Sequence, residues 1–145
     1  MKAFCKHGSS LYVDNYYCHV GLAEKMLAEG FNITGTYRIS RKDIPGIVKN
    51  AVVKKTVRKS NSSNSQQSSN SSMKNIRYFK SDNGIFVVKW MSKREVNVLT
   101  TNHSLKLEEE ETSRNRTIIR PEAVNEYIKF MRGIDRLNQK VHYIR

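Results

Sequence analysis

Gly8-Ser9-Ser10-Leu11-Tyr12-Val13-Asp14-Asn15-Tyr16-Tyr17 is the stretch on which the fold turns. Leu11, Tyr12 and Val13 favour a pleated, half-buried backbone, and Asp14 and Asn15 end it, giving a strand at 10–13. A carboxylate where a buried strand runs out has a fixed backbone behind it and open space ahead. That combination suits a metal ligand. The residue types also suit a helix cap, since Asp and Asn accept from the free N–H groups of a helix start. The residues alone leave both readings open.

Working outward, His19 or Val20 starts a helix with Val20, Ala23, Met26 and Leu27 on one face, and Gly30 suits its left-handed stop. Phe31 to Ile39 alternates loosely as a second strand, in which Gly35 allows close backbone approach. Strand, helix, strand predicts a parallel crossover unit and an α/β class. Arg38, Arg41 and Lys42 cluster in the loop that follows, either as phosphate donors or as a solvated loop. Pro45 then opens a short helix reaching Val52 or Val53. Lys54, Lys55, Arg58 and Lys59 form a basic run, read as an import signal or a phosphate contact. Residues 60–72 contain only Ser, Asn and Gln, which cannot bury enough apolar surface to offset ordering entropy, so disorder is expected there.

The second half opens as an antiparallel meander. Ile76 to Lys80 and Ile85 to Met91 flank Asn83-Gly84, which predicts a two-residue hairpin loop. Glu95 to Thr101 follows, with Val96, Val98 and Thr100 on one face and Trp90 packed on the apolar side. Glu108 to Glu111 reads as a solvated acidic linker. From Pro121 onward, Val124, Tyr127, Ile128, Met131, Ile134, Leu137, Val141 and Ile144 recur at helical spacing. Asp135 falls at the edge of that apolar face, either paired with Arg132 or Arg136 or bound to metal. Gly133 allows another backbone to come near. The expected segments are 1–59, a linker at 60–75, the meander at 76–104, an acidic linker at 105–119 and the final helix at 120–145.

Three of these stretches, in this order and at this spacing, resemble the piggyBac transposase family. They are Val13-Asp14-Asn15-Tyr16-Tyr17; Thr34-Gly35-Thr36-Tyr37-Arg38 with Arg41-Lys42 and Pro45; and Arg120-Pro121 through Tyr127 to Gly133-Ile134-Asp135-Arg136-Leu137-Asn138-Gln139. Val87-Val88-Lys89-Trp90 and Val96 to Thr101 resemble the family's insertion before its last catalytic helix. The resemblance implies a partial RNase H-like (DDE transposase) domain of the α/β class with a small antiparallel β insertion. It implies that Asp14 and Asp135 are the second and third aspartates of a triad holding two Mg²⁺ or Mn²⁺ ions for phosphoryl displacement. The first has no counterpart: thirteen residues precede Asp14 and none is acidic. Arg132 stands where the family has Gly, and Asn138 where it often has Asp.

Two carboxylates hold two ions poorly, so the expectation for these residues alone is DNA binding without cutting. The alternatives are a protein-interaction module, with a full-length transposase as one partner, and a nuclease completed in trans.

Composition fits a DNA partner. The net charge is +13 over 145 residues, which points to a polyanion and to salt-sensitive binding. No apolar run approaches the roughly 20 residues of a membrane span, and no signal-peptide core is visible. An intracellular, nuclear chain is therefore expected, with its two cysteines reduced. Cys5 with His7 and Cys18 with His19 lack finger spacing, so no zinc is expected.

Overall fold

The computed structural model describes residues 6–54, 75–104, 106–112 and 116–142. Lys55, Arg58, Lys59 and the Ser/Asn/Gln tract lie outside them. The first strand, β1 (Ser10–Val13), lies where the sequence put it and pairs in parallel with β2 (Asn32–Thr36). Between them runs α1 (Val20–Ala28). Its cap is His19, whose Nδ1 accepts from the Leu22 N–H. Gly30 ends the helix at φ +78°, the left-handed stop that only glycine adopts without strain. The second strand is shorter than its alternation suggests, because after the Tyr37 N–H meets the Asn97 carbonyl the chain turns at Arg38–Arg41. A short helix, α2 (Gly46–Asn50), follows Pro45.

The meander β3 (Ile76–Lys80), β4 (Phe86–Met91) and β5 (Glu95–Thr100) pairs antiparallel as expected. The β3–β4 loop is longer than the two residues predicted. It spans 81–85, closed by the Ser81 N–H on the Ile85 carbonyl, with Gly84 at φ +80°. Nor does the meander form a layer of its own. β5 pairs antiparallel with β2, giving one five-stranded sheet in the order β1-β2-β5-β4-β3.

Two cores follow from strand alternation. On one face Ile33, Val87 and Leu99 pack with Cys18 and Ala23 of the α1 segment and Ile44 and Val48 of the α2 segment. On the other, Val88, Trp90 and Val98 pack against Ala123 and Val124 at the start of the last helix, α3 (Glu122–His142).

The acidic stretch corrects the linker reading. Leu107–Thr112 forms β6, paired antiparallel with β7 (Arg116–Pro121). The charge run is compatible with a strand because a cation and an amide donor arrive from β7 and α3. Arg120 Nη1 meets Glu110 at 2.6 Å, and the Asn125 amide donates to Glu108 at 2.7 Å. Among the described residues no helix is long and apolar enough to cross a membrane.

Candidate functional site

The side of the sheet that faces α3 changes character along its width. Under β3, β4 and β5 it is apolar. Under β1, β2 and the last residue of β5 it is polar: Tyr12, Thr34, Thr36 and Thr100 share this face by register. Thr34 and Thr100, both buried, share a hydroxyl–hydroxyl hydrogen bond of 2.8 Å. Thr36 Oγ1 lies 3.2 Å from the Tyr127 hydroxyl. The Tyr12 hydroxyl donates to Glu126 at 2.6 Å, and its ring stacks on Phe130 with centroids 4.1 Å apart. His103, also buried, places Nε2 3.4 Å from the same Glu126 carboxylate. That separation is long for a hydrogen bond. Burial, then the Glu126 carboxylate, push the Tyr12 hydroxyl well above the usual phenol range, so it remains a donor. These contacts seat α3 across the end of β1.

Asp14 lies at that end, two residues beyond Tyr12 and thus on the α3 side by strand alternation. It does not cap α1. Its exposed carboxylate accepts from the Asn15 N–H at 2.6 Å, and its carbonyl accepts from the N–H groups of Tyr17 and Cys18 at 3.1 Å. Arg41 holds the loop from below, donating to the carbonyls of Asn15 at 3.0 Å and Tyr16 at 2.6 Å. Asp43 accepts from the Val20 N–H at 2.9 Å and so fixes the start of α1. Gly35 makes the close approach expected of it: a Cβ there would lie 2.6 Å from the Val13 carbonyl oxygen.

The other sequence-predicted residues are scattered. Arg38, Lys42 and Lys54 are exposed, whereas Arg41 is half-buried and engaged with backbone. Asp135 lies on α3, eight residues beyond Tyr127, or about 12 Å along the helix axis; its side chain is outside the described residues. Nothing among the described residues lies within 4 Å of where a Gly133 Cβ would be, so that glycine borders open space rather than a neighbouring backbone. Among the described residues no three His, Cys, Asp or Glu side chains converge as a metal cluster.

Sequence reasoning missed the Tyr12–Glu126–His103 cluster, whose members lie up to 114 residues apart. It also missed the exposed, edge-to-face ring pair of Tyr16 and Tyr17, 70% and 63% accessible beside Asp14. Two adjacent tyrosines after an Asp-Asn turn, where strand burial has ended, were the available signal.

The family model described as Transposase IS4 matches residues 1–145. The chain belongs to this transposase family. No curated protein matches the sequence significantly. Among solved structures, the cryo-EM structure of a piggyBac transposase synaptic complex with hairpin DNA is similar, with a TM-score of 0.65 at 19% identity. The match covers 96% of this chain and 25% of that one, so the chain spans a quarter of the length of the transposase it resembles. The family assignment and the fold together bear out the piggyBac-type resemblance, and the mixed α/β architecture is consistent with a partial domain of that transposase fold.

Proposed function

We propose that this chain carries two of the three metal-holding carboxylates of a DDE-type transposase, Asp14 and Asp135. It binds DNA through its basic surface and does not cut DNA with these 145 residues alone. The observation that carries the reading is the placement of Asp14. It ends a strand, its loop is clamped by Arg41, and α3, which bears Asp135, is seated across that same strand by Tyr12 and Glu126.

The donor set fits a hard divalent cation. A carboxylate with one oxygen occupied by a local N–H retains acceptor capacity for Mg²⁺ or Mn²⁺. Such an ion, when bound, supplies Lewis-acid stabilisation of the charge that develops in phosphoryl transfer. Asp14 and Asp135 would hold the ion, with β1 and Arg41 positioning Asp14 and the polar seam positioning α3. Mg²⁺ demands near-ideal octahedral geometry, and two carboxylates without a third leave the pair of ions under-coordinated.

Arg38, Lys42 and Lys54 are exposed cations in the basic loop and after α2, and Tyr16 and Tyr17 offer aromatic faces for bases. The test is fluorescence anisotropy with labelled duplex DNA, alongside a nicking assay with Mg²⁺ or Mn²⁺. Binding that weakens with salt, and weakens further in Arg38→Ala and Lys42→Ala, is expected, with no nicking. Metal-dependent nicking lost in Asp14→Ala would overturn the incomplete-site reading. Absence of binding at low salt would overturn the DNA reading.

A further inference from the structure

A cleft of about 870 Å³ separates the β6–β7 hairpin from α3. One wall carries Glu108, Glu109 and Glu110, and the other carries Lys129, Arg132 and Arg136. At 100° per residue, positions 129, 132 and 136 fall in one stripe, spread over roughly 10 Å of helix axis. Arg132 and Arg136 are exposed, and no hydrogen bond or ion pair engages any of the three among the described residues. Where the walls meet, Arg120 is held by Glu110, and Glu108 accepts from Asn125. Yet Arg120 Nε and Asn125 Oδ1 are buried without a hydrogen-bond partner.

We propose that the α3 stripe is a second phosphate-backbone contact, and that the glutamates of β6 restrain it as an intramolecular counter-charge. The inference rests on the DNA reading above but uses residues outside the Arg38–Lys42 loop. The cations face the hairpin without closing on it, so their field reaches solvent reduced by the opposite wall. Across a water-filled cleft within a Debye length, three carboxylates lower the local potential without forming fixed pairs. A nucleic-acid backbone that enters the cleft competes with them for the same cations.

The experiment uses the full 145-residue chain and a labelled duplex of arbitrary sequence at two salt concentrations. Glu108→Gln, Glu109→Gln and Glu110→Gln together keep the hydrogen-bond acceptors while removing the charges. They should tighten binding by at least about threefold at low salt. A control with the same gain in charge elsewhere, Glu24→Gln with Glu29→Gln and Asp82→Asn, should gain clearly less. Adding Lys129→Gln, Arg132→Gln and Arg136→Gln to the hairpin variant should cancel the gain and flatten the salt slope by roughly 0.9 for each phosphate that is no longer neutralised.

Equal gains in hairpin variant and control overturn the inference while leaving the DNA reading intact. No binding by wild type or hairpin variant overturns both. Should the triple variant fail to fold, Glu108→Gln alone serves, since Glu108 lines the cleft and its amide oxygen still accepts from Asn125; it should tighten binding in the same direction, and an unchanged affinity overturns the proposal.

Discussion

Lys89 is only 2% exposed although it carries a charge, and it lies in β4. Its Nζ donates to the Ala51 carbonyl at 2.7 Å and the Val48 carbonyl at 3.2 Å, and lies 3.4 Å from Glu95. The first two contacts tie the end of α2 to the sheet, and with it the segment leading to Lys54. Burying an ammonium is costly, and its removal returns that cost. Glu95 is one-third exposed and stays hydrated without its partner. The two carbonyls behave differently. Without the ammonium the Val48 carbonyl keeps only the long Ala51 N–H contact at 3.4 Å and the Ala51 carbonyl loses its 2.7 Å donor, a combined loss of about 1–3 kcal/mol.

Lys89→Met keeps the stem and removes the donors, so a net destabilisation of about 2 kcal/mol is expected. Lys89→Ala also opens a cavity, and should cost roughly 4 kcal/mol. For a chain of 145 residues these translate to falls in Tm of about 6 °C and about 12 °C. Urea unfolding followed by circular dichroism measures both, with an unchanged m-value confirming that the folded state is what moved. A Lys89→Met protein as stable as wild type would refute the reasoning. The desolvation of the ammonium would then outweigh its hydrogen bonds, and α2 would be held by Val48 and Ile44 alone.

Three further outcomes follow from single contacts. Gly35→Ala drives a Cβ to 2.6 Å from the Val13 carbonyl, a backbone atom that cannot swing aside, so calorimetry should show a loss of about 1–3 kcal/mol. Burial, partly offset by Arg41, pushes the Cys18 thiol up to about 12; in a Cys5→Ser background it should resist alkylation at pH 8 until the chain unfolds. The sign for stability is that of a raised pKa: the contribution is complete below the ordinary thiol range and fades as pH climbs to about 12. Thr100 Oγ1 accepts from the Asn102 and His103 N–H groups at 3.4 Å besides meeting Thr34, so Thr100→Val should cost about 1–3 kcal/mol in thermal melts, Thr34→Val less, and the double change should not recover the Thr100→Val loss.

The parts of the fold legible in the sequence are those fixed by neighbours along the chain. Leu11, Tyr12 and Val13 between a glycine-serine turn and Asp-Asn mark β1, and Gly30 marks the end of α1. Alternation put Val96, Val98 and Thr100 on one side and Trp90 inside. What escaped depends on partners far off in sequence. Four consecutive glutamates read as solvent until Arg120 and Asn125 are placed beside them. Nothing local to Lys89 signals its burial, because the carbonyls of Val48 and Ala51 that receive its tip lie 41 and 38 residues earlier. Arg41 reads as a phosphate donor because nothing local says that its guanidinium meets the carbonyls of Asn15 and Tyr16.

The same distinction separates the candidate site from ordinary core. Thr and Tyr favour strands for their shape, so Tyr12, Thr34, Thr36 and Thr100 signal a sheet and conceal that their polar atoms converge under α3. An apolar seam of the kind formed by Val88, Trp90 and Val98 would hold the helix at least as firmly, since a hydroxyl pair adds little net stability over two methyl groups. What hydroxyls add is direction. A Tyr12–Glu126 bond at 2.6 Å and a Thr36–Tyr127 contact at 3.2 Å fix the rotation and axial position of α3 against β1 more narrowly than methyl packing does. Under the proposed function, that is the requirement of a metal cradle divided between a strand end and a distant helix. A shift of one helical turn would move Asp135 by about 5 Å and separate the two carboxylates that a shared ion needs.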